Sequence, residues 1–304
     1  MTQPFLSIVL PMYNEAGAVQ DLLRALLKVV DEQLSHLTVE LIIVDDGSSD
    51  ASAENARQIN DPRLRVHQHP YNIGNGAAVK TGIRLAQGKN ILLMDADGQH
   101  KPSDVPRLLE HIDQYDLVVG ARTGMSETAV HRDLANATYN WLATYVCGYK
   151  IQDLTSGFRV IKADIAKRLI PLLPNTFSYP TTMTLAIVRS GYSLKYIPIV
   201  AKERVGKSKI KLLRDGSRFL LIILKIATLF SPLKIFLPVS ILMFLTGLGY
   251  GLFKIVALDL NYGPTSAMLM TVSIVIFMVG LVSEQITQLR YDQIDRGQQS
   301  TPNG

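Results

Sequence analysis

Asp95 and Asp97 stand two residues apart, directly after the apolar run 91–94. Two carboxylates at i and i+2 in a loop can both reach one hard cation through oxygen ligands. Mg²⁺ or Mn²⁺ suits such a pair when substrate phosphates complete the shell. Gln99 adds a neutral oxygen two residues on. An ordinary acidic turn has the same composition, and what favours the cation is that the other apolar runs end on equally polar residues. Pro11, Met12, Tyr13, Asn14 and Glu15 follow the run 5–10. Asp45, Asp46 and Gly47, then Ser48, Ser49 and Asp50, follow 39–44, and Gly120, Ala121 and Arg122 follow 117–119. One edge of the fold thus collects an aromatic ring, several carboxylates and a guanidinium. A carboxylate such as Asp46 can accept from a base N–H or from ribose hydroxyls, and Tyr13 can stack on a base. Residues 48–50 also read as a helix cap, and the two readings are compatible.

Other motifs fail on spacing. Gly74 and Gly76 precede Lys80, but a phosphate loop needs glycine immediately before the lysine and Val79 stands there. That stretch reads as a tight turn into a helix, near the site without taking part in chemistry. The six histidines lack metal-binding helical spacing, and His67 and His69 are expected on a solvent-facing strand face. No Ser/His/Asp triad is legible. The single cysteine excludes an internal disulfide and a cysteine zinc site.

The elements that must position these residues follow from periodicity. Short apolar runs at 5–10, 39–44, 64–67, 91–94 and 117–119 alternate with amphipathic stretches such as 18–30 and 77–85. Near-continuous apolar strands alternating with helices predict an α/β fold with a mostly parallel sheet covered on both faces. Ligands of such sheets bind beyond the carboxyl ends of the strands.

The chain has 304 residues, 47% of them hydrophobic and 19% charged, against about 25% charged in ordinary soluble domains. The excess apolarity is local. Residues 235–253 and 260–283 are uncharged and long enough to cross about 30 Å of hydrocarbon. Charge is local too. Residues 204–234 carry eight Lys/Arg and one acid, Asp215, whereas the whole chain is only +5. Nucleic acid is therefore not an expected partner. Basic residues interleaved with apolar ones over 211–230 predict a juxtamembrane helix in the headgroup region, and the positive-inside rule places the preceding domain in the cytosol. The N-terminus does not read as a signal peptide. The expected organisation is a catalytic domain at 1–203, a basic loop and amphipathic helix at 204–232, a transmembrane hairpin at 233–289 (crossings about 235–256 and 263–285) and a cytosolic tail at 290–304. Gly247 and Gly251 fit either close packing of the two crossings or a homo-oligomer face, the former preferred.

Taken together these motifs resemble the inverting GT-A glycosyltransferases that include dolichyl-phosphate mannose synthases and bacterial polyprenyl-phosphate glycosyltransferases. The segments that carry the likeness are 11–15, 44–48, 95–100, 120–122, 153–159 and 204–209. The resemblance implies a GT-A (Rossmann-like) domain moving a hexose-type sugar from a UDP- or GDP-sugar to a polyprenyl phosphate, undecaprenyl or dolichyl, at a membrane (the inner membrane in a prokaryote). It implies that Pro11, Tyr13, Glu15, Val44, Asp46, Asp95 and Ala96 hold the nucleotide. It assigns Asp95, Asp97 and Gln99 to Mg²⁺ or Mn²⁺, catalytic roles to Asp97 and Arg122, and acceptor and diphosphate contacts to Arg122, Arg132, Arg204 and Lys209. Thr182 stands where several relatives carry a glutamate, and the 204–209 loop is a residue shorter than in some. Two other functions fit parts of the pattern. A processive polysaccharide synthase would share the fold, but its Gln-x-x-Arg-Trp motif is absent, Trp141 being the only tryptophan. A membrane nucleotide-sugar sensor would bind without turnover.

Overall fold

The computed structural model describes residues 3–122, 140–141, 143–145, 147–176, 178–200, 231–258 and 262–296. The chain divides into two compact units, Met1–Thr144 with Tyr149–Lys209, and Tyr145–Gly148 with Ile210–Gly304. The predicted amphipathic helix and the tail fall outside the described residues, apart from residues 231–232 and 290–296.

The first unit is built on a seven-stranded sheet. Its strands are β1 (Leu6–Met12), β2 (Val39–Asp45), β3 (Leu64–Gln68), β4 (Asn90–Leu93), β5 (Leu117–Arg122), β6 (Arg159–Lys162) and β7 (Leu194–Ile199), in the order β3-β2-β1-β4-β6-β5-β7. The five apolar runs correspond to β1–β5. All seven residues of β1 and of β2 are buried, as expected of strands covered on both faces. β6 runs antiparallel between β4 and β5, while the other pairings are parallel. Periodicity did not reveal β6, whose four residues begin with Arg159 and end with Lys162.

Helices α1 (Val19–Gln33), α2 (Ser52–Arg57), α3 (Asn75–Leu85), α4 (Val105–Leu109), α5 (Ala163–Leu169) and α6 (Tyr179–Arg189) connect or flank the strands. α1 buries Val19, Leu22, Leu23, Leu26, Val29 and Val30, the three- and four-residue spacing of one helix face. Each such side chain contributes roughly 1.5–3 kcal/mol by leaving water.

Two features of register place the site. β1 lies between β2 and β4, so connections leave it in both directions and open a crevice at its carboxyl end. β4 pairs with β1 only as far as Val9, whereas β2 accompanies β1 to Met12. Pro11, which has no amide hydrogen, sits beyond the last β4 partner, where no ladder bond to β4 is lost. The amino ends of these strands are tied together by side chains. There the Glu40 carboxylate accepts from Ser7 Oγ at 2.6 Å and from the Gln87 amide at 2.7 Å, and pairs with Arg65.

The second unit contains α7 (Leu233–Leu258) and α8 (Pro264–Arg296), each with a 26-residue stretch long and apolar enough to cross a membrane. Within those stretches both are apolar on nearly all sides. The buried residues of α7 are Ser240, Gly247 and Gly251, which form a small-residue seam. A Cβ on Gly247 would lie 2.9 Å from Leu269 Cβ and 3.1 Å from Ser266 O, so this glycine serves close packing within one chain. Pro238 lies inside α7 and removes the amide that would bond to the Lys234 carbonyl. Tyr145 Oη donates to that oxygen instead, at 3.2 Å. At the start of α7 the Leu233 amide donates to the Glu284 carboxylate at 3.3 Å. Gly247→Leu is expected to lower stability by about 1–3 kcal/mol through overpacking. Thermal unfolding in detergent checks this, and an unchanged midpoint would show that the seam does not form.

Candidate active site

Where β1, β2 and β4 end, a cleft of about 350 Å³ opens. Of the residues singled out in the sequence, Pro11, Tyr13, Glu15, Asp46, Asp95, Ala96 and Asp97 line it. Met12, Asn72, Gly74, Asn75 and Ala78 line it as well. The 72–76 turn, expected only near the site, is therefore one of its walls. Val44 is fully buried within β2. Gln99 and Arg122 lie outside the lining residues. Arg132, Arg204 and Lys209 lie outside the described residues.

The loop after β1 is held by the loop after β2. Asn14 adopts φ 56°, a left-handed conformation that asparagine tolerates better than most residues. Its amide donates to Ser48 Oγ at 2.9 Å, and its side-chain oxygen accepts from the Ser49 amide at 2.9 Å. The Glu15 amide donates to Ser52 Oγ at 2.7 Å. Asp50 accepts from the Ser52 amide at 3.0 Å, at the start of α2. Ala51, which makes no side-chain cap bond, is the N-cap of α2, so residues 48–52 serve mainly to brace the backbone that presents Tyr13 and Glu15. Gly47 sits at φ +70°, and a Cβ there would lie 2.5 Å from the Tyr71 carbonyl carbon, so only glycine lets the two loops meet.

Asp46 is 2% exposed and is already engaged. Oδ1 accepts from His69 Nδ1 at 2.8 Å and from the Ile73 amide at 3.0 Å, and Oδ2 accepts from the Gly74 amide at 2.7 Å. His69 Nε2 is hydrogen-bonded in turn to Thr81 Oγ1 at 2.9 Å. His69 is buried, contrary to the solvent-facing expectation that holds for His67. It lies one residue beyond β3, where strand alternation no longer applies, and its value to the site comes from that position.

Asp95 and Asp97 follow β4. Asp97 Oδ1 accepts from the Gln99 amide at 3.1 Å, which turns the chain back at Gly98. Asp95 rests against Gly157, where a Cβ would lie 2.5 Å from its Oδ2. Close by are two fully buried groups that sequence reasoning assigned no role, Arg159 (0% exposed) and Tyr179 (1% exposed). Burial, and then the Asp95 charge, push the Tyr179 pKa up, so the phenol keeps its proton. Burial lowers the Arg159 pKa. His100 is buried, its ring stacked on Phe158 with centroids 5.1 Å apart. Burial pushes its pKa down to about 4, more than Asp97 can offset, so the ring is neutral at pH 7.

Arg122 ends β5 and is gripped by Asp153. Nε donates to Oδ2 and one terminal nitrogen to Oδ1, both at 2.8 Å, and that nitrogen also reaches Thr155 Oγ1 at 2.5 Å. This planar fork fixes the guanidinium at the strand end.

Four carboxylates, Glu15, Asp46, Asp95 and Asp97, line the cleft. A polyanionic ligand would be repelled there unless a divalent cation bridged the charges. Among the described residues no group of three or more His, Cys, Asp or Glu side chains forms a metal cage. The donor set instead fits a cation held by one or two carboxylates, with ligand phosphates and water completing its shell.

Comparison with known proteins identifies the family. Residues 7–170 match the family model Glycosyl transferase family 2, and residues 231–289 match GtrB C-terminal hairpin. The chain is 29% identical to undecaprenyl-phosphate mannosyltransferase of Micrococcus luteus over 214 residues, 66% of this chain and 86% of the relative. It is 29% identical to polyprenol monophosphomannose synthase of Mycolicibacterium smegmatis over 219 residues, covering 67% and 80%. It is 32% identical to dodecaprenyl-phosphate galacturonate synthase of Rhizobium johnstonii over 170 residues, covering 54% of this chain and 49% of that relative. Among solved structures, glucosyl-3-phosphoglycerate synthase of Mycobacterium tuberculosis with Mn²⁺ and UDP-glucose superposes with TM-score 0.54 at 20% identity, covering 74% of this chain and 78% of that one, which shows a shared fold. With more than half of its length matched by the family model and its carboxylates gathered where the first, second and fourth strands end, this chain is a glycosyltransferase and belongs to glycosyl transferase family 2.

Proposed function

We propose that this enzyme moves a sugar from a nucleotide diphosphate sugar, UDP- or GDP-linked, to a polyprenyl phosphate at a membrane, with its catalytic domain in the cytosol. The observation that carries this reading is a carboxylate-lined cleft at the sheet's switch point, in a chain that also bears two helices apolar enough to cross a bilayer. The names of the relatives in Micrococcus, Mycolicibacterium and Rhizobium point to the same acceptor class.

In this reading Tyr13 and Asp46 face the nucleoside. Asp95 and Asp97 hold Mg²⁺ or Mn²⁺, which when bound neutralises charge on the departing diphosphate. Arg122 orients the acceptor phosphate while Asp153 fixes its plane, and Arg132, Arg204 and Lys209 supply further cationic contacts. A phosphate monoester, with a second pKa near 6, is already largely ionised at pH 7. The acceptor therefore needs no general base, and in-line attack inverts the anomeric centre.

The test is transfer of labelled sugar from UDP- and GDP-sugars into organic-extractable lipid. Binding of a nucleotide sugar without turnover on any polyprenyl phosphate would point to a sensor, and a soluble long-chain product to a polysaccharide synthase. His69→Ala is expected to weaken nucleoside diphosphate binding about tenfold, equivalent to ~1.4 kcal/mol, by releasing Asp46. Calorimetric titration with UDP and GDP measures it, and unaltered affinity would remove Asp46 from the nucleoside site.

A further inference from the structure

Beneath Asp95 the molecule contains polar groups whose arrangement the transfer reaction described above does not explain. Gly157 leaves a gap at one point, and a Cβ placed there would lie 2.5 Å from Asp95 Oδ2 and 3.2 Å from Tyr179 Oη. The carboxylate and the phenol therefore converge on the same small space from opposite segments of the chain. Tyr179 is 1% exposed, yet its hydroxyl has no hydrogen-bond partner among the described residues. A buried hydroxyl left in that state is costly, and a phenylalanine would avoid the cost.

Arg159 explains why the two segments meet. Its Nε donates to Ser156 O at 3.1 Å, and Nη2 donates to the same oxygen. Nη1 donates to Pro180 O at 2.9 Å and to Thr184 Oγ1 at 3.1 Å. One guanidinium thus clamps the backbone beside Gly157 to the first turn of α6, on which Tyr179 stands.

We propose that Tyr179 is a positioning residue for the metal-binding carboxylate, its phenol donating to Asp95 when the cation loads, and that Arg159 is the clamp that keeps the phenol within reach. Donation to a carboxylate fixes its rotamer and leaves its remaining lone pairs facing the ion. Outer groups of this kind typically change metal affinity by 10- to 100-fold when removed. The inference rests on the reading of Asp95 as a metal ligand.

The measurement is Mn²⁺ binding to the full-length protein, followed by the electron paramagnetic resonance of free Mn²⁺, with the ion alone and with UDP or GDP present. Tyr179→Phe is expected to weaken Mn²⁺ binding about tenfold while thermal stability stays equal or rises. In transfer assays the same variant is expected to raise the Mn²⁺ activation constant and leave kcat at saturating Mn²⁺ unchanged, a split that a structural defect does not produce. Gly157→Ala, which pushes a methyl group against Asp95, and Arg159→Lys, which keeps the charge but loses the fork, are expected to weaken Mn²⁺ in the same direction. Wild-type Mn²⁺ affinity in Tyr179→Phe overturns the inference and leaves the metal site standing. No Mn²⁺ binding by the unsubstituted protein, with or without either diphosphate, overturns the metal site and the inference together.

Discussion

Replacing Asp97 by alanine is expected to lower sugar transfer about 10³-fold, with the fold intact. The side chain lines the cleft at the end of β4, and its carboxylate accepts from the Gln99 amide. Alanine at this lining position leaves the buried apolar core untouched. What it removes is a negative charge where, in the proposed reaction, a diphosphate is neutralised, and groups that stabilise developing charge in a closed site are commonly worth factors of 10² to 10³. The measurement is initial rate into lipid at saturating Mn²⁺ or Mg²⁺, alongside a thermal unfolding curve. Transfer within a factor of two of the parent enzyme would sink the assignment of this cleft as the active site. Asp97→Asn separates charge from shape, and a loss close to that of alanine is expected because the amide keeps the volume and forfeits the charge.

The second large effect falls on stability. Asp153 is 5% exposed and holds Arg122 through two parallel bonds, while the amides of Arg122, Thr155 and Ser156 also donate to its carboxylate. Asp153→Ala leaves a half-buried guanidinium and these amides without their acceptor. A loss of about 3 kcal/mol is expected at pH 7, by analogy with other pairs broken on one side. Burial alone would raise the Asp153 pKa, but Arg122 and the donated amides outweigh it and hold the group below the usual carboxylate range. The unfolded chain therefore takes up the proton at higher pH than the folded one. The stabilisation is complete above an unfolded pKa of about 3.9 and is lost as pH falls through the lower folded value. Variant and parent should accordingly differ most near neutral pH and converge in acid below about pH 4. Denaturation at pH 7 and at low pH, followed by circular dichroism, checks both halves. Equal stability at pH 7 would show that the ion pair contributes nothing.

Much of the cleft edge is legible in the sequence because it is written in local patterns. Runs of apolar residues mark β1 to β5, and eight of the residues that follow the runs of β1, β2 and β4 line the cleft. His69 reads as one of two histidines on a solvent-facing strand, and the glycines of the 72–76 turn miss the phosphate-loop spacing, so neither stands out locally. His69 acquires meaning only through Asp46, 23 positions earlier, and the 72–76 turn only because Asp46 accepts its amides. Arg159 and Tyr179 were hidden for a related reason. A charged residue opening a four-residue strand and a tyrosine opening a helix carry no periodic signal.

By itself the sequence determined the alternation of strands and helices, the carboxylates at strand ends and the apolar hairpin, since side-chain spacing along a strand or helix fixes which face meets water. The tertiary structure alone decided which of those ends share a cleft. Strand order, with β1 between β2 and β4 and β6 reversed beside β4, brings Asp95 against Gly157 and Tyr179, 62 and 84 positions away. That order is settled by how whole faces pack and by the entropy of closing long loops, and no window of the chain short enough to show a period contains both partners.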